Sequence, residues 1–170
     1  MTTLTALAPA KVNLFLHVGP VDAEGYHPLA SLVVFADVGD RVTARRADRL
    51  SLAVEGPFSA GLDGEGDNLM LRALRALKAG PGLSLTLDKR LPIAAGLGGG
   101  SSDAGAALRL AGRLLEGVFD DDLIAAALTV GADGPMCLNP VSAWAEGRGE
   151  RLTAEPRLPP LHAVLVNPRV

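Results

Sequence analysis

The segment Leu91-Pro-Ile-Ala-Ala-Gly-Leu-Gly-Gly-Gly-Ser-Ser-Asp-Ala104 places four glycines and two serines directly before a helical pattern. Glycine permits positive φ angles and close backbone approach. A loop of this composition can surround a phosphate with backbone N–H groups, and the dipole of the following helix favours negative charge there. Ser101 and Ser102 could cap that helix or offer hydroxyls to a phosphate or a metal ion. The segment predicts an anion-binding loop.

Two common glycine-rich motifs do not describe this loop. A Walker A loop requires Gly-Lys-Ser/Thr, and no lysine follows Lys89 in the chain. A dinucleotide fingerprint fits poorly, because Ser101 stands where the third glycine belongs and the preceding strand pattern ends early, at Leu87. A plain turn that caps a helix remains as an alternative. So many glycines and serines exceed what such a connection needs, which favours the anion-binding loop.

Composition sets the class of protein. The chain has 170 residues, of which 48% are hydrophobic and 21% charged, enough for one globular domain or one domain with a fragment of another. A net charge of −3 argues against a nucleic-acid partner. The single cysteine, Cys137, excludes an internal disulfide and suits a reducing compartment. Without a signal-peptide pattern or a long apolar run, we expect a soluble cytoplasmic protein without a membrane partner.

Hydrophobic patterning predicts an α+β fold. Strands are predicted over 12–18, 29–35, 41–45, 50–54, 83–87, 142–145 and 163–166. Helices are predicted from 67 or 68 to 78, from 102 to about 115, and from 120 to about 131, with loops at 21–28, 57–67 and 80–82. Strands precede helices rather than alternating with them, which favours a mixed or mostly antiparallel sheet packed with helices.

A group of arginines between positions 41 and 49 could suggest a basic patch. Asp37 and Asp40 precede these arginines and Asp48 lies among them, so the positive charge is diluted. This mixture predicts a solvated strand edge or turn.

Four motifs together resemble one kinase superfamily. They are Pro9-Ala-Lys-Val-Asn13, Gly25-Tyr-His27, the glycine loop and Gly131-Ala-Asp-Gly-Pro135. The chain resembles the galactokinase–homoserine kinase–mevalonate kinase–phosphomevalonate kinase (GHMP) superfamily nearly from end to end. The glycine loop identifies only the superfamily. The opening segment with Gly25-Tyr-His27 narrows the resemblance to its kinases of non-mevalonate isoprenoid biosynthesis.

The resemblance implies transfer of the γ-phosphoryl group of ATP to the 2-hydroxyl of 4-diphosphocytidyl-2-C-methyl-D-erythritol. Asp133 falls on the position of the aspartate that accepts the hydroxyl proton, and Lys11 on that of the lysine that orients the hydroxyl. A nearby ammonium would keep the carboxylate ionised and steady developing negative charge. From the residues alone, Asp133 could instead be a turn residue and Lys11 a surface charge.

The resemblance also implies substrate-binding residues. Asn13 follows Lys11 by two positions, so a strand would point both side chains to one face. Asn13 could bind substrate or fix the catalytic pair, or be a buried asparagine with satisfied hydrogen bonds. Tyr26 and His27 resemble the pair that holds the cytosine ring, although Tyr26 could instead cover the core. His17 and His162 lie in strand patterns typical of packing or surface residues.

On the nucleotide side, the resemblance places Asn68 near the adenine. Lys89 could approach the phosphates or the base, or be a surface lysine at a strand end. Mg²⁺ is expected with ATP because it carries charge between the β- and γ-phosphates, and Ser102 is one candidate ligand. The implied nucleotide-binding residues are Asn68, Lys89, Pro92, Ile93, Ala94, Ala95, Gly96, Leu97, Gly98, Gly99, Gly100, Ser101 and Ser102.

The chain departs from the resemblance in two places. Gly134 stands where a bulky aliphatic residue is expected, which predicts a looser turn around Asp133. The sequence ends at Val170, whereas members of the superfamily continue into a second domain with another glycine-rich motif. We therefore expect residues 1–170 to be the N-terminal ATP-binding and catalytic-residue domain without its C-terminal domain. A surface that faced the missing half could drive self-association.

Two other functions remain open. A sister kinase acting on mevalonate, homoserine or a sugar would keep the glycine loop without requiring Tyr26 and His27. A nucleotide-binding module without catalysis would bind ATP and leave every acceptor unchanged.

Overall fold

A computed structural model describes residues 2–60, 62, 68–77 and 82–167 of the chain. This part contains six strands and four helices, in the predicted α+β class. The strands are β1 Thr3–Val18, β2 Leu29–Arg46, β3 Ser51–Glu55, β4 Leu83–Asp88, β5 Ala143–Gly147 and β6 Arg151–Ala154. The helices are α1 Leu69–Arg75, α2 Gly99–Leu114, α3 Asp120–Leu128 and α4 Gly134–Leu138.

Strand β2 organises the sheet. With 18 residues it exceeds the usual strand length of about 3–10 residues. One edge of β2 pairs with β1 in antiparallel register from Thr3↔Arg45 to Val18↔Leu29. The other edge pairs with β5 over its first half and with β4 over its second half, both antiparallel. Since β3 pairs with β4 in parallel, the sheet is mixed, as the sequence predicted.

Helix α2 lies at the centre of the hydrophobic core. It packs against β1 and β2 of the sheet and against the other three helices. Ten of its 16 residues are buried, and Ala or Gly occupies half of those ten positions. Small side chains let neighbouring backbones come close, so α2 can support several elements at once. Met70, Leu85 and Leu108 complete the same core from α1, β4 and α2.

Several predicted boundaries were wrong. The strands predicted over 29–35 and 41–45 are parts of the continuous β2, and α4 and β6 were not predicted. Neither Ser101 nor Ser102 caps α2, because the helix begins at Gly99 and Gly98 is its N-cap residue. Residues 163–166 form no strand. Val164 is 88% exposed there, and none of the six described strands pairs with this segment to complete its hydrogen bonds.

The predicted loops at 57–67 and 80–82 lie largely outside the described residues, as do the ends of the first predicted helix at Asp67 and Lys78. No helix in the described ranges is both long and apolar enough to cross a membrane.

Truncating Leu108, a core side chain of α2, should lower the free energy of unfolding. Leu108 is fully buried, so we expect Leu108→Ala to cost about 2–5 kcal/mol, the range for lost burial plus a residual cavity. Leu128 of α3 is 56% exposed, and Leu128→Ala should change stability by less than about 0.5 kcal/mol. Urea unfolding of both variants measures the difference. Equal losses would contradict the assigned core.

Candidate active site

The structure brings Lys11 and Asp133 together, although more than a hundred residues separate them in sequence. The Lys11 Nζ lies 3.5 Å from the Asp133 Oδ2. Lys11 is only 7% exposed, so it is not the surface charge that its sequence context allowed. Lys11 Nζ also donates a hydrogen bond of 3.0 Å to Asn13 Oδ1. The pair is therefore a preformed feature of the fold.

Hydrogen bonds behind Asn13 fix the orientation of its amide. Its Nδ2 donates to the Ser31 hydroxyl at 2.7 Å, and that hydroxyl donates to the Phe15 carbonyl at 2.6 Å. Asn13 is thus held with its oxygen toward Lys11. Ser31 is 1% exposed and was not among the predicted site residues. Nothing in its local sequence distinguishes it from a serine on a solvated strand face.

Two irregularities in β1–β2 pairing flank the segment that carries Lys11 and Asn13. The step from Pro9 to Lys11 faces a longer step from Gly39 to Phe35, so β2 bulges there. A second register shift follows between Asn13 and Phe15. Bulges bend a strand and redirect its side chains, and they are frequent beside active sites. These two set the direction in which Lys11 and Asn13 leave the sheet.

Asp133 occupies the N-cap position of the short helix α4. Gly131, two residues earlier, has a φ of 124°, which favours glycine. A Cβ at Gly134 would lie 1.9 Å from the Ala127 carbonyl oxygen, so the end of α3 packs directly on this turn. The prediction of a looser turn at Asp133 was wrong, because the missing side chain allows closer packing.

The glycine loop rests on the strand that carries Lys11. The backbone N–H of Lys11 donates to the Leu97 carbonyl at 2.8 Å. Gly98 follows with a φ of 62°, and a Cβ there would lie 3.1 Å from the Cβ and Cε of Lys11. Left-handed backbone also occurs at Gly96 and at Ala94, where φ is 55°. The loop is consequently held against the aliphatic part of the Lys11 side chain.

The N-terminus of α2 is open to a ligand. The first N–H groups of a helix lack intrahelical acceptors, and no side chain in the described part of the chain caps those of α2. These N–H groups and the helix dipole can hold an anion. Among the predicted hydroxyls, Ser101 lines the adjoining cleft. Ser102 is fully buried and donates to Cys137 Sγ at 3.5 Å. Its hydroxyl is therefore directed toward α4 and does not line the cleft in which a metal ion was expected.

A cleft of about 370 Å³ lies over the glycine loop. Small-molecule pockets usually have volumes of about 300–1,000 Å³. Every predicted nucleotide-binding residue except Ser102 lines it, including Asn68, whose Oδ1 accepts the Met70 N–H and caps α1. Four residues that the sequence did not suggest also line the cleft: Leu62, Leu69, Leu87 and Asp103. The described residues contain no cluster of three His, Cys, Asp or Glu side chains that could hold a metal ion.

Beneath the loop, Lys89 forms a buried charge cluster with two carboxylates. Its Nζ donates to Asp40 Oδ2 at 2.5 Å and to Asp103 Oδ2 at 2.9 Å. Asp40 Oδ1 accepts the backbone N–H groups of Arg90 and Leu91, which fixes the start of the loop. Lys89 is therefore not a surface lysine, and Asp40 does not lie on the predicted solvated edge.

Burial changes the protonation of this cluster. Desolvation lowers the pKa of Lys89, but Asp103 and Asp40 outweigh it and leave the pKa raised. Desolvation raises the pKa of Asp103 to about 7, against the opposing charge of Lys89. No described residue offers a hydrogen bond to the buried Asp103 Oδ1, which also makes the ionised form of Asp103 costly.

Tyr26 and His27 lie in the exposed loop between β1 and β2. Tyr26 is 52% exposed, so it does not cover the core. The Arg148 guanidinium lies 3.5 Å from the centroid of the Tyr26 ring, and Glu24 pairs with Arg148. A base stacked on Tyr26 would take its other face or displace Arg148. His27 Nδ1 contacts the Gly19 carbonyl at 2.8 Å, which fixes its ring within the loop.

Comparisons with known proteins agree with this architecture. Residues 68–139 match the model of the family described as GHMP kinases N terminal domain. That segment includes the glycine loop, α2 and Asp133. The six-stranded mixed sheet with its helices has the fold of that domain. The part of the chain that carries the glycine loop and Asp133 therefore matches a GHMP kinase N-terminal domain.

Relatives named 4-diphosphocytidyl-2-C-methyl-D-erythritol kinase match almost the whole chain. The protein from Caulobacter vibrioides (strain NA1000 / CB15N) is 58% identical, with 97% of this chain and 59% of the relative covered. The protein from Ruegeria pomeroyi is 51% identical, with 98% and 59% covered. The chain thus spans about three fifths of the length of these relatives.

Two solved structures also superpose on this chain. A crystal structure of 4-(cytidine 5'-diphospho)-2C-methyl-D-erythritol kinase superposes with a TM-score of 0.73 at 39% identity, covering 89% of this chain and 55% of the other. A galactokinase from Lactococcus lactis superposes with a TM-score of 0.57 at 17% identity, covering 90% and 46%. The second likeness concerns the fold alone.

The raised pKa of Asp103 predicts a pH-dependent stability difference. A free Asp ionises near pH 3.8, whereas the folded protein holds the Asp103 proton to about pH 7, so this group costs stability as pH rises through that interval. Asp103→Asn cannot ionise. We expect its free energy of unfolding to rise relative to wild type between about pH 4 and about pH 7 and to level off above that.

Urea unfolding of both proteins across that pH range tests the prediction. Asp121→Asn, which changes an exposed residue of α3, is the matched control for removal of one carboxylate and should change stability by less than about 0.5 kcal/mol. A difference for Asp103→Asn that does not change with pH would contradict the buried, proton-holding carboxyl.

Proposed function

We propose that this chain catalyses, or contributes the catalytic residues for, ATP-dependent phosphorylation of 4-diphosphocytidyl-2-C-methyl-D-erythritol on its 2-hydroxyl. The observation that carries the proposal is the Lys11–Asp133 pair beside the uncapped N-terminus of α2. The anion site would hold the triphosphate, and the pair would receive the acceptor hydroxyl. Residues 1–170 would then be the ATP-binding and catalytic-residue domain, and the reaction belongs to non-mevalonate isoprenoid biosynthesis.

In this proposal Asp133 is the general base. Its side chain is 41% exposed, which leaves the carboxylate accessible to an acceptor. Lys11, held by Asn13, would orient the hydroxyl and stabilise the negative charge that develops on its oxygen. Phosphoryl transfer depends mainly on positioning and charge stabilisation, and a preformed pair supplies both without reorganisation.

The nucleotide would lie in the cleft over the glycine loop, with its phosphates at the N–H groups of Gly99, Gly100 and Ser101. Mg²⁺ would enter with ATP, because Mg²⁺ commonly binds through substrate phosphates and water. Asn68 and the apolar lining near Leu69 would receive the adenosine.

Tyr26 and His27 would bind the cytosine ring. From Lys11 to the end of β1 at Val18 the strand spans up to about 23 Å, and the Tyr26 loop follows. An extended substrate could therefore contact both Tyr26, through its cytosine ring, and the catalytic pair. Its charged diphosphate would lie between them.

Removing the carboxylate of Asp133 should greatly slow turnover without preventing nucleotide binding. We expect Asp133→Asn to lower kcat by about 10²- to 10⁴-fold, the usual contribution of general acid–base catalysis. Its ATP affinity should remain that of wild type, because the loop and α2 are unchanged. ADP formation with Mg·ATP and calorimetric ATP binding measure the two effects. Asp121→Asn is the control, since this exposed aspartate lies outside the cleft.

The acceptor panel for the wild-type chain contains diphosphocytidyl-methylerythritol, mevalonate, homoserine and galactose. Turnover with the cytidyl acceptor alone supports the proposal, whereas turnover with another acceptor indicates a sister kinase. ATP binding without turnover of any acceptor would overturn the proposed activity for this chain. Equal loss of ATP binding and turnover in Asp133→Asn would exclude Asp133 as the base.

Tyr26 should determine the choice of acceptor. We expect Tyr26→Ala to raise the KM for the cytidyl acceptor by about 5- to 150-fold, since stacking a base on an aromatic ring contributes about 1–3 kcal/mol. Tyr26→Phe retains the ring and should change KM little. The KM for ATP should be unaffected in both variants. An unchanged acceptor KM in Tyr26→Ala would mean that the cytosine ring binds elsewhere.

A further inference from the structure

Arg109 projects from the middle of α2 toward two other elements of the site. Its Nη1 donates to the carbonyls of Cys137 and Leu138 at 2.9 and 3.2 Å. Its Nη2 donates to the Leu7 carbonyl at 2.7 Å. The guanidinium is partly buried, and desolvation lowers its pKa. One side chain therefore binds backbone carbonyls of both α4 and β1.

Both contacts lie close in sequence to the catalytic pair. Leu7 precedes Lys11 by four residues on β1, and Cys137 follows Asp133 by four residues along α4. A helix as short as α4 leaves its last carbonyls without intrahelical partners. A cation at that end satisfies them and is favoured by the helix dipole. Arg109 thus fixes the far end of the helix that begins at Asp133.

The neighbouring turn of α2 adds a steric constraint. A Cβ at Gly105 would lie 2.2 Å from the Cys137 carbonyl oxygen, so the two helices pack with their backbones in close approach. Gly105 and Arg109 are one turn apart and face the same neighbour. Close packing limits how near α4 can come, and the three hydrogen bonds of Arg109 limit how far it can move away.

We propose that Arg109 is a positioning residue that sets the separation of Lys11 and Asp133. The proposal deepens the proposed function, because it rests on those two residues being the catalytic pair. Arg109 itself touches neither substrate nor nucleotide. The glycine loop is held separately, by the Lys11–Leu97 hydrogen bond and by Asp40. Loss of Arg109 should therefore affect the chemical step and spare ATP binding.

The test compares two substitutions of Arg109 with a matched control. Arg109→Met should lower kcat by about 100-fold, the cost of a displacement of about 1 Å in a reacting group, with ATP affinity unchanged. Arg109→Lys should fall between wild type and Arg109→Met, because one ammonium cannot reach α4 and β1 as the two guanidinium nitrogens do. Arg113→Met removes an exposed arginine one turn further along α2 and should behave as wild type.

A double variant separates positioning from general stability. If Arg109 acts through Asp133, Arg109→Met should add almost nothing to the loss already caused by Asp133→Asn. If the fold-loss of kcat in the double variant equals the product of the two single losses, the proposal is overturned. An unchanged kcat in Arg109→Lys would also overturn it. If Arg109→Met does not fold, as judged by thermal unfolding, Arg109→Lys carries the kcat and ATP-affinity comparison alone.

A structural readout remains valid even if the chain turns over no acceptor. Crystal structures of wild type and Arg109→Lys should show the distance from Lys11 Nζ to Asp133 Oδ2 increasing beyond the wild-type value. An unchanged distance would overturn the positioning role. An increased distance together with no turnover in wild type would support the positioning role and refute the proposed activity.

Discussion

The hydrogen bond from the Lys11 N–H to the Leu97 carbonyl joins the two halves of the candidate site. It ties the glycine loop to the strand that carries the lysine, and the positive φ of Gly98 lets the backbone turn into α2 without striking that side chain. The anion site and the Lys11–Asp133 pair are thereby held at a fixed distance from each other. Helix α2 then supports both, since its N-terminus borders the cleft and Arg109 binds α4 and β1.

Features with local causes could be predicted from the sequence. The glycine-rich segment, the strand that precedes it and the helix that follows depend on neighbouring residues, and the structure contains all three. The fold class followed from the order of strand and helix patterns. The juxtaposition of Lys11 and Asp133 is different, because no periodicity relates positions so far apart. It could be predicted only from the resemblance to a known superfamily.

The features that sequence reasoning missed depend on partners distant in the chain. Asp40 reads as a solvated acid among arginines, yet it is fully buried because Lys89 and two backbone N–H groups compensate its charge. Arg109 reads as a polar position on a helix surface until the carbonyls of α4 and β1 are in place. For residues 163–166 the sequence predicted a strand that the structure does not contain. A short run of apolar residues alone does not form a strand without a sheet edge to pair with.

The central claim is that the N-terminus of α2 receives the nucleotide phosphates beside Lys11. Amide NMR of the chain titrated with a non-hydrolysable Mg·ATP analogue tests it most directly. The account predicts that the largest shift changes fall on the amides of Gly98, Gly99, Gly100 and Ser101, with smaller changes near Lys11. Saturable binding with the largest changes elsewhere, and none at these four amides, would contradict the account.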